Sequence, residues 1–134
     1  MPKSAAVVAW LDRYVDVWKS GIHGRVAELF SDDAVYYTDP FREPRHGVAE
    51  IEEYWRTSGD APDAFVAQYT PLEVTADLAV VVGFSRYLDD SRSRIDKEYG
   101  NVFVLRFAED GRCTEYREWY MLRGDDGPAS LDPE

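Results

Sequence analysis

Hydrophobic residues in the first half of the chain recur every three or four positions. Over residues 4–20 they form a stripe made of Val8, Leu11, Val15 and Trp18, with Val7 and Tyr14 beside it. This spacing predicts an amphipathic helix that ends at Gly21, because glycine readily adopts the left-handed conformation that stops a helix. The same period predicts a shorter helix over residues 23–30 and a third helix over residues 47–56.

From residue 65 onward the hydrophobic period changes to two, which is typical of strands. Four long strands are predicted, over residues 65–75, 78–88, 95–108 and 112–122. A shorter strand at residues 34–38 ends at Asp39-Pro40, because proline lacks a backbone donor and restrains the residue before it. Helices that precede a run of antiparallel strands predict an α+β fold, with the helices packed on one face of a curved sheet.

Composition and charge narrow the function classes. The chain has 134 residues, which predicts a single domain over residues 1–123 and a mobile acidic tail over residues 124–134. Its net charge of −11 disfavours nucleic acids and anionic membranes as partners. Cys113 is the single cysteine and apolar stretches are short, so we expect a cytoplasmic protein with no metal site and no membrane span.

The aromatic content is high for a core of this size. The chain contains 6 Phe, 9 Tyr and 4 Trp residues. Aromatic side chains beyond the needs of a core often line a ligand cavity or a subunit interface. An apolar small molecule is therefore the expected partner.

Asp39 is the first candidate for chemistry. Its carboxylate lies between an aromatic strand and Pro40, and Phe41 follows. If the side chain projects into an apolar cavity, desolvation raises its pKa and makes it a stronger base. The alternative is an Asx turn, which Asp before Pro often forms.

Four segments resemble the first half of the Δ5-3-ketosteroid isomerases. They are Arg13-Tyr14-Val15, the run from Ala27 to Val35, Asp39-Pro40, and the run from Glu43 to Ile51. The resemblance covers about residues 8–56 and extends to the wider nuclear transport factor 2-like superfamily, which includes the SnoaL-like polyketide cyclases. A weaker pattern of strand lengths, with Arg106-Phe107, continues it toward the end of the chain.

This resemblance implies a cone-shaped α+β barrel, in which three helices pack on the concave face of a curved, mostly antiparallel sheet and enclose an apolar pocket. In the isomerases an aspartate at the place of Asp39 moves a proton between carbons, and a tyrosine at the place of Tyr14 donates a hydrogen bond to the enolate. No cofactor takes part. Phe41 and Trp55 are expected at the mouth of the pocket, in contact with the substrate.

The second oxyanion donor of the isomerases is not matched. Aligned on Arg106-Phe107, Phe103 occupies the place of their protonated aspartate, and a phenyl ring donates no hydrogen bond. The loss of one such donor costs on the order of 3 kcal/mol of transition-state stabilisation. Because side chains alternate along a strand, Tyr99 and Asn101 are expected on the same face as Phe103, and Asn101 could supply an amide donor.

The last strand supplies a second carboxylate. The same alignment turns Tyr116, Glu118 and Tyr120 into the pocket and turns Cys113, Glu115, Arg117 and Trp119 outward. A carboxylate among aromatic rings is expected to have a raised pKa or a pairing with Arg or Tyr. If the register is off by one residue, Glu118 is solvated and Arg117 or Trp119 points inward instead.

Three functions are compatible with these observations. The first is a cofactor-independent isomerase or cyclase acting on an apolar carbonyl compound such as a steroid or polyketide, with Asp39 as base, Tyr14 as oxyanion donor and Glu118 as second carboxylate. The second is a non-catalytic binder of an apolar ligand. The third is a dimeric interaction module, and a homodimer through Trp119, Arg117 and Val104 on the convex sheet face is expected for all three.

Overall fold

The computed structural model describes residues 3–58 and 65–124. Two α-helices, α1 and α2, span Ser4–Ser20 and Gly47–Ser58, and a short 3₁₀ helix spans His23–Glu28. The strands are β1 (Phe30–Tyr37), β2 (Arg45–His46), β3 (Phe65–Val74), β4 (Ala79–Leu88), β5 (Ile95–Phe107) and β6 (Cys113–Leu122). The four long predicted strands are therefore confirmed, with ends that differ by one residue at most.

The six strands form one curved, open sheet in the order β2-β1-β6-β5-β4-β3. All neighbouring strands pair antiparallel except β1 and β6, which run parallel. The three helices complete the α+β cone, as the resemblance predicts. In that arrangement, side chains from α1, α2 and the concave face of the sheet meet in one aromatic core.

Helix α1 ends as predicted, at Gly21 with φ of 69°, but its buried face is rotated from the predicted stripe. The buried residues are Val7, Trp10, Leu11, Tyr14 and Val17. Val8 is 44% exposed. The prediction overlooked Trp10, whose ring fills the core while its indole N–H donates to the Leu29 carbonyl at 3.0 Å. Satisfying that buried donor fixes the rotation of the helix.

The prediction that Cys113 faces outward is wrong, because β6 contains a bulge. Cys113 pairs with Phe107, but the next pair joins Glu115 to Arg106, so the residue between them has no partner on β5. Because of this extra residue, the side chains before the bulge face the side opposite to the one that alternation from Glu115 onward predicts. Cys113 is therefore fully buried, whereas Glu115 beyond the bulge faces outward as predicted and pairs with Arg117.

Two further expectations concern a membrane span and the acidic tail. Across residues 3–58 and 65–124, no helix is both long and apolar enough to span a membrane. The predicted acidic tail begins at residue 124, and from residue 125 onward it lies outside the described residues.

Candidate functional site

A cavity of about 290 Å³ lies between the helices and the concave face of the sheet. It is lined by Tyr14, Trp18, Tyr36, Tyr54, Trp55, Ser85, Tyr87, Lys97, Tyr99, Asn101, Glu118 and Tyr120. Eight of these residues are aromatic, and all eight are Tyr or Trp, so the walls offer flat ring faces together with hydroxyl and indole N–H groups to a ligand. The charged and amide groups of the lining decide what chemistry a bound molecule would meet.

Glu118 is the acidic residue of this lining, and the register of the sheet positions it. It lies opposite Phe103 in the β5–β6 ladder, which turns its side chain to the concave face. Its Oε1 accepts a hydrogen bond from the Tyr116 hydroxyl at 2.7 Å, and its Oε2 accepts one from Asn101 Nδ2 at 2.7 Å. The predicted inward orientation is confirmed, and the alternative register with a solvated Glu118 is wrong.

The surroundings of Glu118 favour its protonated form. Burial raises the pKa of the carboxyl above its ordinary value of 4.5, and the hydrogen bonds from Tyr116 and Asn101 lower the pKa by less. A carboxyl with a raised pKa is a stronger base when it is ionised and gives up its proton closer to neutral pH. Glu118 therefore has the properties of a group that accepts and returns a proton.

This raised pKa predicts a pH-dependent difference in stability between the wild type and Glu118→Gln. Between 4.5, its ordinary value, and the higher pKa in the folded protein, the folded state holds more protons than the unfolded state. Glu118 therefore stabilises the fold below pH 4.5, and this contribution is lost as the pH rises through the folded-state pKa.

Glutamine cannot ionise, so the free energy of unfolding of Glu118→Gln relative to the wild type is expected to rise from pH 4 to pH 8. Urea unfolding of both proteins at several pH values measures this difference, and the other titrating groups cancel in it. A difference that stays constant with pH, or that falls, contradicts the assignment.

Tyr14 and Tyr116 extend the hydrogen-bond chain from Glu118 into helix α1. The two hydroxyl oxygens are 2.8 Å apart, and Tyr116 is the donor to Glu118. An ionised carboxylate can only accept hydrogen bonds, so Tyr116 donates its hydroxyl hydrogen to Glu118. Tyr14 must therefore be the donor to Tyr116. Burial, and next the charge of Glu118, raise the pKa of both phenols, which keeps them neutral donors.

Asn101 is held from its other side by Ser85. The Ser85 hydroxyl donates to Asn101 Oδ1 at 3.3 Å, so the amide must turn its Nδ2 donor toward Glu118. The amide donor expected from strand alternation is therefore present, and it is directed at the carboxylate. Ser85 was not among the predicted site residues, although its place on β4, directly opposite Tyr99 on β5, follows from the strand pairing.

Phe103 and Tyr116 lie behind the cavity wall rather than on it. Both rings are fully buried. Phe103 packs edge-on against Tyr14, with ring centroids 5.7 Å apart, and Tyr116 stacks on Tyr36 at 4.3 Å. Phe103 was expected to contact the substrate, but it supports Tyr14 instead, and Tyr116 contributes through its hydroxyl.

The structure places Asp39 and Phe41 outside the cavity lining. One Asp39 oxygen accepts the Phe41 backbone N–H at 2.8 Å, and the other accepts Arg42 Nε at 3.3 Å. This is the Asx turn that the sequence left open as the alternative. The expectation of a carboxylate projecting into an apolar setting is not met, and the Phe41 ring, 94% exposed, does not form the mouth of the cavity.

Of the remaining predicted residues, Trp55, Tyr99 and Tyr120 all line the cavity. The Trp55 indole N–H donates to the Tyr36 hydroxyl at 3.0 Å, which fixes both rings. The prediction missed Trp18, Tyr36, Tyr54, Tyr87 and Lys97, besides Ser85. Two of them could have been found from strand alternation, because Tyr87 shares the face of Ser85 on β4 and Lys97 shares the face of Tyr99 on β5.

Comparison with known proteins adds one positive finding. The model of a family described as SnoaL-like domains matches residues 11–116, which include Tyr14, Asn101 and Tyr116 but end just before Glu118. The match spans the second half of α1, all of α2 and the strands up to the first part of β6. No curated protein matches the chain.

Proposed function

Because the chain belongs to the family of SnoaL-like domains, a branch of the nuclear transport factor 2-like superfamily, we propose that it is a small-molecule enzyme of the isomerase or cyclase type. One observation carries the proposal. A carboxyl group with a raised pKa, Glu118, lies in an aromatic cavity and is oriented by two hydrogen-bond donors.

The proposed step is proton transfer next to a carbonyl group. The ionised Glu118 takes a proton from the carbon beside the carbonyl, and the C–H electron pair becomes the enolate. The protonated Glu118 then returns the proton to another carbon or to the same one. This step needs no cofactor, since the carboxyl group is itself the proton acceptor and donor.

The tyrosine chain couples this transfer to stabilisation of the enolate. Once Glu118 carries the proton, it can donate to Tyr116, and Tyr116 can then donate to Tyr14. That reversal frees the Tyr14 hydrogen to point to the enolate oxygen in the cavity. The donor is therefore supplied at the moment when negative charge develops, which is when it lowers the barrier.

The base in this proposal is Glu118 and not Asp39. The Asp39 carboxylate is held by the turn at Phe41 and by Arg42, whereas Glu118 lines the cavity itself. The test is deuterium uptake at the α-carbon of 2-tetralone in D₂O, followed by proton NMR with wild type, Glu118→Gln and Asp39→Asn. Loss of exchange only in the Glu118 variant supports the proposal.

The second candidate function is a non-catalytic binder of a flat apolar molecule. It is favoured by Phe103, a fully buried ring at the place where the isomerases have their second acidic donor. For a binder, 2-tetralone shifts the melting temperature but exchanges no faster than in buffer, and Glu118→Gln changes neither result.

We also propose that the chain forms a homodimer through the convex face of the sheet. Val102 and Trp119 are neighbours across β5 and β6, and they are 42% and 39% exposed. Val82 pairs with Val102 from the other side, and half-buried Val104 continues the apolar surface. Arg117 borders it, with its guanidinium 4.0 Å from the Tyr37 ring centroid.

Light scattering is expected to give twice the chain mass of 15.4 kDa at micromolar concentration. Val102→Glu introduces a charge into the centre of this face and is expected to give a monomer with unchanged circular dichroism. Val8→Glu makes the same change at an exposed valine of helix α1, on the other side of the sheet, and serves as the control that is expected to stay dimeric. A wild-type monomer refutes the dimer.

A further inference from the structure

Lys97 places a positive charge at the rim of the cavity. It is an exposed residue of β5, and it belongs to the cavity lining. Its Nζ lies 5.3 Å from the centroid of the Tyr87 ring and 5.9 Å from that of the Tyr99 ring. Both distances are within the range of cation–π attraction, so the two rings hold the ammonium group at the opening.

Among the described residues, no carboxylate forms an ion pair with this ammonium group. The sequence neighbour Glu98 points to the opposite face of the sheet, where it pairs with Arg86 and Arg123 at 2.7 Å each. Within residues 3–58 and 65–124, Lys97 forms no ion pair, although the chain has 26 acidic residues. Cation–π contacts leave the three N–H donors of the ammonium group available for a ligand.

Lys97 and Asn101 lie on the same face of β5, four residues apart, with Tyr99 between them. At about 3.3 Å per residue, their backbone positions are about 13 Å apart. Asn101 donates to Glu118, so the two charged groups of the lining lie toward opposite ends of the cavity. The length and the aromatic walls fit a molecule of about two fused rings.

We propose that Lys97 binds a carboxylate of the substrate, which is therefore a flat, two-ring carboxylic acid with its reacting carbonyl end at Glu118. This inference rests on the proposed function of the cavity as a small-molecule site. A single ammonium group suits a monoanion, whereas sites for phosphate groups combine several N–H donors. The carboxylate end contacts Lys97, and the rings lie against Tyr99.

Isothermal titration with 6-hydroxy-2-naphthoate and 6-hydroxy-2-naphthamide tests the inference, because the two probes differ only in the charged group. The acid is expected to bind the wild type about 10-fold more tightly at low salt, as one charge-assisted hydrogen bond allows. Lys97→Gln is expected to bring this ratio to about one. Lys19→Gln is the matched control, since Lys19 also lies over a ring, Phe65, but outside the cavity lining.

The outcomes separate this inference from the proposed function. Equal affinity of the two probes for the wild type, or an acid preference that persists in Lys97→Gln, overturns the inference. A preference that also disappears in Lys19→Gln overturns it too, because it then reflects overall charge. Unchanged exchange on 2-tetralone in Glu118→Gln overturns proton transfer while leaving the Lys97 site standing. Failure of both probes to bind overturns the Lys97 site, and the exchange assay then decides proton transfer by itself.

Discussion

Replacing Glu118 by glutamine is expected to slow deuterium exchange on 2-tetralone by about 10³-fold, the usual contribution of a positioned general base. Glutamine keeps the size of the side chain, and its one oxygen can still accept the hydrogen bond from Asn101. Its NH2 group then donates to the Tyr116 hydroxyl, which is free to donate to Tyr14. What it loses is the ability to accept a proton. Binding of the ketone is therefore expected to stay within a few fold, so the loss appears in kcat rather than in KM.

Two matched variants determine whether this effect belongs to Glu118. Asp39→Asn removes the base that the resemblance implies, yet asparagine can keep the turn at Phe41, so exchange is expected to stay near the wild-type rate. Glu115→Gln makes the same chemical change on the outward face of β6, where Glu115 pairs with Arg117. If Asp39→Asn abolishes exchange and Glu118→Gln does not, the base is Asp39.

The inward position of Asn101 could be predicted from strand alternation, and that of Glu118 from the alignment of the last strand with the isomerases. Once β5 and β6 pair antiparallel, a residue two positions from Phe103 shares its face, and the partner of Phe103 across the ladder shares it too. A prediction of these positions therefore requires only the correct register between β5 and β6. The short turn that joins them, closed by a hydrogen bond from Gly111 N–H to the Ala108 carbonyl, and the bulge beside Cys113 together set that register, because without the bulge Phe103 would pair with Arg117.

Features that depend on tertiary contacts could not be predicted from the hydrophobic pattern. The bulge beside Cys113 reverses the alternation, and the pairing of β1 with β6 also shifts register there, between Phe30–Cys113 and Val35–Glu115. The rotation of α1 depends on the Trp10 hydrogen bond to Leu29, which no local spacing reveals. The conformation of Asp39 depends on which of two common local structures the following loop adopts.

The position of Lys97 at the cavity rim could not be predicted from the sequence pattern either. An exposed lysine in a charged hairpin is ordinarily solvated, and Lys97 lies between Asp96 and Glu98 in the sequence. Its role depends on two rings, of which Tyr87 comes from a different strand. The sequence supplies the alternation, but only the pairing of β4 with β5 brings ring and ammonium together.

Gly83 is the position where a single methyl group is expected to cost the most stability. It pairs with Tyr69 on β3 and with Asn101 on β5. A Cβ atom there would overlap the backbone carbonyl oxygen of Gln68 and would lie 2.8 Å from the Tyr69 Cα. Because these are backbone atoms, the added Cβ can be accommodated only if β3 moves away from β4. The unfolding free energy is expected to fall by on the order of 3 kcal/mol.

Gly100→Ala is the matched control for Gly83→Ala, because Gly100 is also a strand glycine and a Cβ there meets nothing within 4 Å. It is expected to leave the unfolding free energy within about 1 kcal/mol of the wild type. Urea unfolding compares the three proteins. Since Asn101 is the ladder partner of Gly83, displacement of β4 also disturbs the donor that orients Glu118, so residual folded Gly83→Ala is expected to exchange 2-tetralone more slowly. Equal stability of the two alanine variants contradicts the close approach of β3 and β4 and, with it, the rigid placement of Asn101.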